Sequence, residues 1–181
     1  MSFSPIPFYC EENVWQLCAD PRVEGEPRAA IIVSNAIGQV AVAHQRAAPR
    51  PDRPVIWDYH VILAARPATG WVIWDLDSTL RMPAPLMVYL RASFGYPDGQ
   101  PEPYAARFRV IEASVYRRTL ATDRSHMRDA SGRLRVPAPP WPLIGEGTNL
   151  MRLVDMDDDW VGRVVSLAEL PAALERLESP A

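Results

Sequence analysis

Apolar residues come in short blocks bounded by Pro, Gly and Asn, a pattern of short strands and helices joined by stiff loops. The clearest strand signals are Val55 to Ala65 and Trp71 to Leu76, rich in Val, Ile, Trp and Tyr. Arg66-Pro67-Ala68-Thr69-Gly70 between them predicts a hairpin. Ala29 to Ser34 and Gln39 to His44, around a turn at Asn35 to Gly38, predict another. Cys10 to Cys18 reads as a short helix with Glu11 and Glu12 in its first turn and Val14, Trp15, Leu17 and Cys18 as its apolar side. Leu86 to Phe94 reads as a helix behind Pro83 and Pro85, Ser114 as the cap of a helix running to Leu120, and Phe108 to Glu112 and Trp160 to Val165 as strands. Ser166 with Glu169 suggests a capping box for a closing helix, which Pro171 bends or shifts. Ala47 to Pro54 is a surface connection. Ala121 to Asn149 is long and Pro-rich, and loops beyond ~12–15 residues in compact domains are more often functional than neutral. The expected class is α+β, with a mainly antiparallel sheet packed against helices.

Composition narrows the function classes. The 181 residues, 48% hydrophobic and 23% charged, suit one domain that buries about 70% of its extended-chain surface, so residues 1–181 are read as a single unit. A net charge of -3 with scattered Arg supplies no footprint for a phosphate backbone, which argues against nucleic acid. No stretch approaches the ~20 apolar residues of a membrane span, and Met1 to Tyr9 lacks the basic start and apolar run of a signal peptide, so a cytoplasmic location is expected. Two Cys in such a compartment are packing or chemistry, not a disulfide framework.

The chemistry centres on His60, in the first strand of the Val55 hairpin. A turn centred between Pro67 and Ala68 places His60 opposite Asp75 and Asp58 opposite Asp77, all on one face. Trp57, Tyr59, Val61 and Leu63 then share the other face with Val72, Trp74 and Leu76 as the core. A carboxylate opposite the imidazole can accept its Nδ1 proton, fix the tautomer and raise its basicity. Cys10 is the best candidate for a nucleophile, because a thiol at a helix N-terminus has its thiolate stabilised by unpaired N–H groups. Cys18 lies about 12 Å further along the helix and is read as core. His44, at a strand end, is read as solvated or packed. With no C-x-x-C and no His pair at ligand spacing, a metal site built from Cys10, His44, His60 and His126 is not expected.

Tyr9-Cys10-Glu11-Glu12-Asn13-Val14-Trp15, Pro54-Val55-Ile56-Trp57-Asp58-Tyr59-His60-Val61, Trp74-Asp75-Leu76-Asp77, Phe108-Arg109-Val110-Ile111 and Asp123-Arg124-Ser125-His126-Met127 resemble, in order, signatures of the protein N-terminal glutamine amidohydrolase family. The resemblance implies a compact papain-like or transglutaminase-like domain with a catalytic triad of Cys10, His60 and Asp75. It implies deamidation of N-terminal Gln in peptides or proteins to Glu, through a γ-glutamyl thioester, by a monomer using no metal or organic cofactor. A free α-ammonium needs a carboxylate near the pocket; Asp58, Asp77 and Glu11 are the candidates, and His126 is a candidate for lining the site. The competing readings are a deamidase of internal Gln, a transglutaminase-like acyl transferase or peptidase with the same triad, an enzyme cleaved before Cys10 to expose an N-terminal nucleophile, and a catalytically silent interaction module.

Overall fold

The computed structural model describes residues 5–51, 53–95 and 102–177; Met1 to Ser4, part of the segment read above for a leader, lie outside them. A six-stranded antiparallel sheet organises the chain, in the spatial order β6 (Ala84–Pro85), β5 (Val72–Trp74), β4 (His60–Ala65), β1 (Arg28–Ser34), β7 (Arg107–Glu112), β8 (Arg163–Ser166). A separate two-stranded sheet pairs β2 (Val40–Val42) with β3 (Val55–Trp57). Among the described residues five α-helices, α1 (Cys10–Leu17), α2 (Leu86–Phe94), α3 (Ala113–Thr119), α4 (Leu150–Val154) and α5 (Leu170–Glu175), and a 3-10 turn at Ser125–Met127 complete the fold. The expected α+β class with a mainly antiparallel sheet packed against helices is what the structure has. No helix among the described residues is long and apolar enough to cross a membrane.

The central strand explains the layering. β1 pairs on one side with β4 and on the other with β7, and Ala29 to Val33 are fully buried because helices cover both faces. Ala29, Ile31, Val33, Ile62, Ala64 and Ile73 pack on Leu86, Tyr89, Leu90 and Phe94 of α2 and Leu170 and Leu174 of α5. Ala30, Ile32, Val61, Leu63 and Ala65 pack on Val14 and Leu17 of α1 and Cys18 at its end, Tyr116 of α3 and Leu150 and Leu153 of α4. The helical face of α2 recurs at the three-and-four spacing of an amphipathic helix, leaving Met87 and Val88 outside.

Three expectations are corrected. β1 and β2 form no hairpin: both edges of β1 are taken by strands distant in sequence. Asn35 still organises the turn, its Oδ1 accepting from Ile37 N and Gln39 N. Val55 to Ala65 is also not one strand. It breaks at Asp58 and Tyr59, where Ser34 Oγ donates to Asp58 O at 2.7 Å and Asp58 Oδ1 accepts from Tyr59 N at 2.9 Å. The β4–β5 hairpin does form, but Leu63 faces Trp74 where the predicted turn would set it opposite Val72. A two-residue slip preserves which side chains share a face.

The strand next to the β8 edge carries a buried cation that holds α4. Arg109, on β7, donates from Nε to Leu153 O at 2.8 Å, from Nη1 to Val161 O at 2.6 Å, and from Nη2 to the carbonyls of Asp155 and Asp158. These carbonyls include orphan acceptors at the C-terminal end of a helix. Arg109→Met strips their donors while keeping a long apolar stem. An expected loss of about 3 kcal/mol corresponds to a melting temperature lower by about 6–12 °C in a chain of this size, measurable by circular dichroism.

Candidate active site

His60 opens β4 and is 1% exposed. Its Nε2 lies 2.8 Å from Asp75 Oδ1, so the carboxylate takes the Nε2 hydrogen, not that of Nδ1 as expected, and Nδ1 is left for proton transfer. Because of the register slip, Asp75 sits past the end of the β4–β5 pairing and reaches the ring diagonally. The carboxylate is saturated with donors: Asp77 N at 3.0 Å joins His60 on Oδ1, while Gln45 Nε2 at 2.9 Å and Tyr89 Oη at 2.8 Å hold Oδ2. Gln45 in turn accepts from Trp57 Nε1 at 3.3 Å, and the Trp57 ring stacks on His60 with centroids 5.6 Å apart and planes 12° from parallel. Burial lowers the proton affinity of His60, but Asp75 outweighs it and the ring is raised above its ordinary value. Burial acts to raise Asp75 and the His60 interaction to lower it; His60, with the Gln45 and Tyr89 donors, prevails and the carboxyl is held below the usual range.

Trp57 contradicts the expected face assignment. It lies in the two-stranded sheet, beyond the break at Asp58, and covers the imidazole instead of joining the core behind it. Tyr59, Val61, Leu63, Val72, Trp74 and Leu76 do share the expected face. Gln45, Trp57 and Tyr89 are therefore site residues that spacing did not reveal. Their role depends on contacts between β2–β3, β5 and α2, elements far apart in the chain.

Cys10 comes from α1, on the opposite face of the sheet, and meets β4 at its start. The Val61 backbone N–H, one residue past His60, acts on its sulfur, and Cys10 and His60 line the same pocket of about 340 Å³. No side chain caps α1, so first-turn N–H groups there stay available. The expected depressed thiol is corrected. Burial, with the carboxylates of Glu11, Asp77 and Asp58, pushes Cys10 well above the ordinary thiol value, against the pull of Val61 N–H. Cys18 is core, as expected, with its thiol pushed up to about 12 by burial. Both cysteines are free.

The two acids in the first turn of α1 are fully buried. They fasten the long loop across the site. Arg124, held in a left-handed backbone conformation, grips Glu12 with Nε and Nη2 at 2.7 Å each, and Trp141 Nε1 adds a bond of 2.6 Å to the same carboxylate. Glu11 Oε2 accepts from Tyr59 Oη at 3.1 Å and from Cys10 Sγ at 3.7 Å, while Oε1 lies 3.3 Å from His126 Nε2 without the alignment of a hydrogen bond. The expectation that this loop borders a site holds: His126, Met127, Arg135 and Val136 line the pocket. Phe8 and Met151 complete an apolar rim. Asp58 and Asp77 also line it; they are not paired across strands as expected, since pairing stops at Leu63. His44 is exposed, outside this pocket. No group of three or more His, Cys, Asp or Glu among the described residues is arranged to hold a metal ion.

A thiol that lines one pocket with an imidazole held by a buried carboxylate is a set of groups that suits thiol hydrolysis. Residues 6–174 match the family model described as N-terminal glutamine amidase. The chain is 39% identical over 171 residues to the protein N-terminal glutamine amidohydrolase of Bos taurus, covering 89% of this chain and 82% of that one. The Homo sapiens protein of the same name is 40% identical over 152 residues, 81% and 74% of the two chains. That of Arabidopsis thaliana is 34% identical over 154 residues, 80% and 70%. The chain belongs to the N-terminal glutamine amidase family.

Proposed function

We propose that this chain hydrolyses the side-chain carboxamide of an N-terminal Gln in peptides or proteins, giving N-terminal Glu and ammonia, with Cys10, His60 and Asp75 as its catalytic triad. The observation that carries the reading is the shared pocket of Cys10 and an Asp75-bound His60 in a chain of this family. Cys10 sulfur attacks the carboxamide carbon while its proton passes to His60 Nδ1. The C–N bond then breaks, His60 returns the proton to the departing nitrogen, ammonia leaves and a γ-glutamyl thioester remains. Water attacks the thioester with His60 as base, the C–S bond breaks, and the thiol takes back its proton. Asp75 keeps the hydrogen on Nε2 and supports the imidazolium. The Cys10 backbone N–H, at the uncapped start of α1, is one donor to the oxyanion. Asp58 and Asp77 meet the α-ammonium at the pocket wall, with Glu11 behind them. His126 walls the pocket on the loop side. The unit works as a cytoplasmic monomer.

Ammonia release from Gln-X, acetyl-Gln-X and Asn-X peptides tests this. Gln-X is expected to react at least ~100-fold faster than acetyl-Gln-X, since acetylation removes the cation the carboxylates are arranged to meet. Equal rates would move the reading to a deamidase of internal Gln. Peptide cleavage or amine incorporation would move it to a peptidase or acyl transferase, and no reaction with any of them to a silent module.

A further inference from the structure

Negative charge crowds the sulfur. Glu11 approaches it from α1, Asp58 from the β3–β4 break and Asp77 from the segment after β5; the groups of opposite or variable charge nearby are His60 on β4, His126 and Arg135 on the loop, and Arg46 acting on Asp77. The neutral but ionisable hydroxyls of Tyr59 and Tyr116 close the other side, bonded to Glu11 Oε2 and Glu11 O. Within this cluster Glu11 is unusual. Its side chain is fully buried, its Oε1 has no hydrogen-bond partner, and its three side-chain neighbours, Cys10, Tyr59 and His126, all line the pocket. A buried carboxylate left short of a donor is costly unless a cation comes near. Its Oε2 also accepts the thiol hydrogen of Cys10, so in this arrangement the hydrogen is directed to Glu11 and not to His60.

We propose that the positive charge of a free N-terminus switches the nucleophile on: Glu11 holds the Cys10 thiol in its protonated form, and an α-ammonium docked against Asp58 and Asp77 releases that proton to His60. The inference rests on the function proposed above and deepens it, making selectivity for a free N-terminus a property of nucleophile activation as well as of binding. The S–H bond breaks and an N–H bond forms at His60 Nδ1, so the pair changes from neutral to thiolate and imidazolium with no net gain or loss of protons. The cation favours this by cancelling the carboxylate field at the sulfur. Glu11 bonds the sulfur and not the ring, so its charge bears on the sulfur end of the transfer.

Alkylation of Cys10 by iodoacetamide, followed by the mass of the Cys10 peptide, reads the thiolate directly. Glycinamide supplies an α-ammonium with no side chain to enter the pocket; N-acetylglycinamide is the neutral control. At pH 7, saturating glycinamide is expected to speed alkylation about tenfold, the effect of one pKa unit on a minor thiolate fraction, and N-acetylglycinamide to leave it unchanged. The acceleration should fade above about pH 8, where the α-amino group loses its charge. Glu11→Gln is expected to alkylate about tenfold faster than the native protein without any amine, and Asp58→Asn, at an exposed position, to lose most of the glycinamide response. Protection by glycinamide, or no change in the native protein, would overturn the proposal. So would an unchanged response in Asp58→Asn, which remains informative if Glu11→Gln fails to fold. The ammonia assay scores the amidase reading separately, so either can fail without the other.

Discussion

Cys10→Ala is expected to bring ammonia release from a Gln-X peptide down by on the order of 10⁶ in kcat, the scale of loss when a triad loses its nucleophile. The residual rate should come from binding alone. Alanine at the first position of α1 keeps the backbone, and the helix is anchored elsewhere, through Asn13, whose side chain bonds Ile6 at both N and O, and through the buried Glu12–Arg124 pair. A melting temperature close to that of the native protein should therefore accompany the loss. Cys18→Ala is the matched control. That thiol is 8% exposed among Val14, Leu17 and Val23, and its raised proton affinity leaves it inert near neutral pH. Loss of activity in Cys18→Ala with retention in Cys10→Ala would reverse the assignment.

How far the chain's own residues lead can be seen at the His60–Asp75 pair. His60 and Asp75 were legible as neighbours because hairpin pairing has period two: an error of two residues in the turn leaves both on one face. The direct opposition was not legible, since turn geometry sets register and Arg66 to Gly70 permits more than one. Cys10 was legible from its place at a helix start. Its electrostatics were not, because the helix-terminus argument counts local dipoles, while burial opposes them first, then the neighbouring Glu11, and then Asp77 and Asp58 brought in from elsewhere in the chain. Glu11 and Glu12 show the same limit. Two acids in a first turn ordinarily face water and favour the helix dipole, and only the return of Arg124, His126 and Trp141 over α1 turns them into buried anchors. The failed β1–β2 hairpin has a related cause: local turn chemistry at Asn35 was read correctly, but β4 and β7 had taken both edges of the strand.

Asp75→Asn is expected to lower kcat by on the order of 10⁴ while leaving the pocket in place. Four donors converge on this carboxylate. An amide can accept on one atom only. If its NH₂ faces Gln45 and Tyr89, two donors oppose it; if it faces His60, the ring must accept at Nε2 and carry its hydrogen on Nδ1, the nitrogen that has to receive the thiol proton. Either arrangement also removes the charge that raises His60, so burial prevails and the ring's pKa falls. The acid limb of the rate profile should move to lower pH even as the plateau drops. Stability should change with it in a defined direction. His60, raised in the folded protein, contributes stability that is full below about pH 6.5 and is lost as pH rises through its folded value. Asp75, lowered, contributes stability present above about pH 3.9 and lost as pH falls through its folded value. The native protein should therefore hold this contribution between those limits and shed it on both sides. Asp75→Asn should lack both dependences, which melting temperatures measured from pH 3 to 9 on the two proteins would reveal; superimposable pH profiles would remove Asp75 from its role as the charge that supports His60.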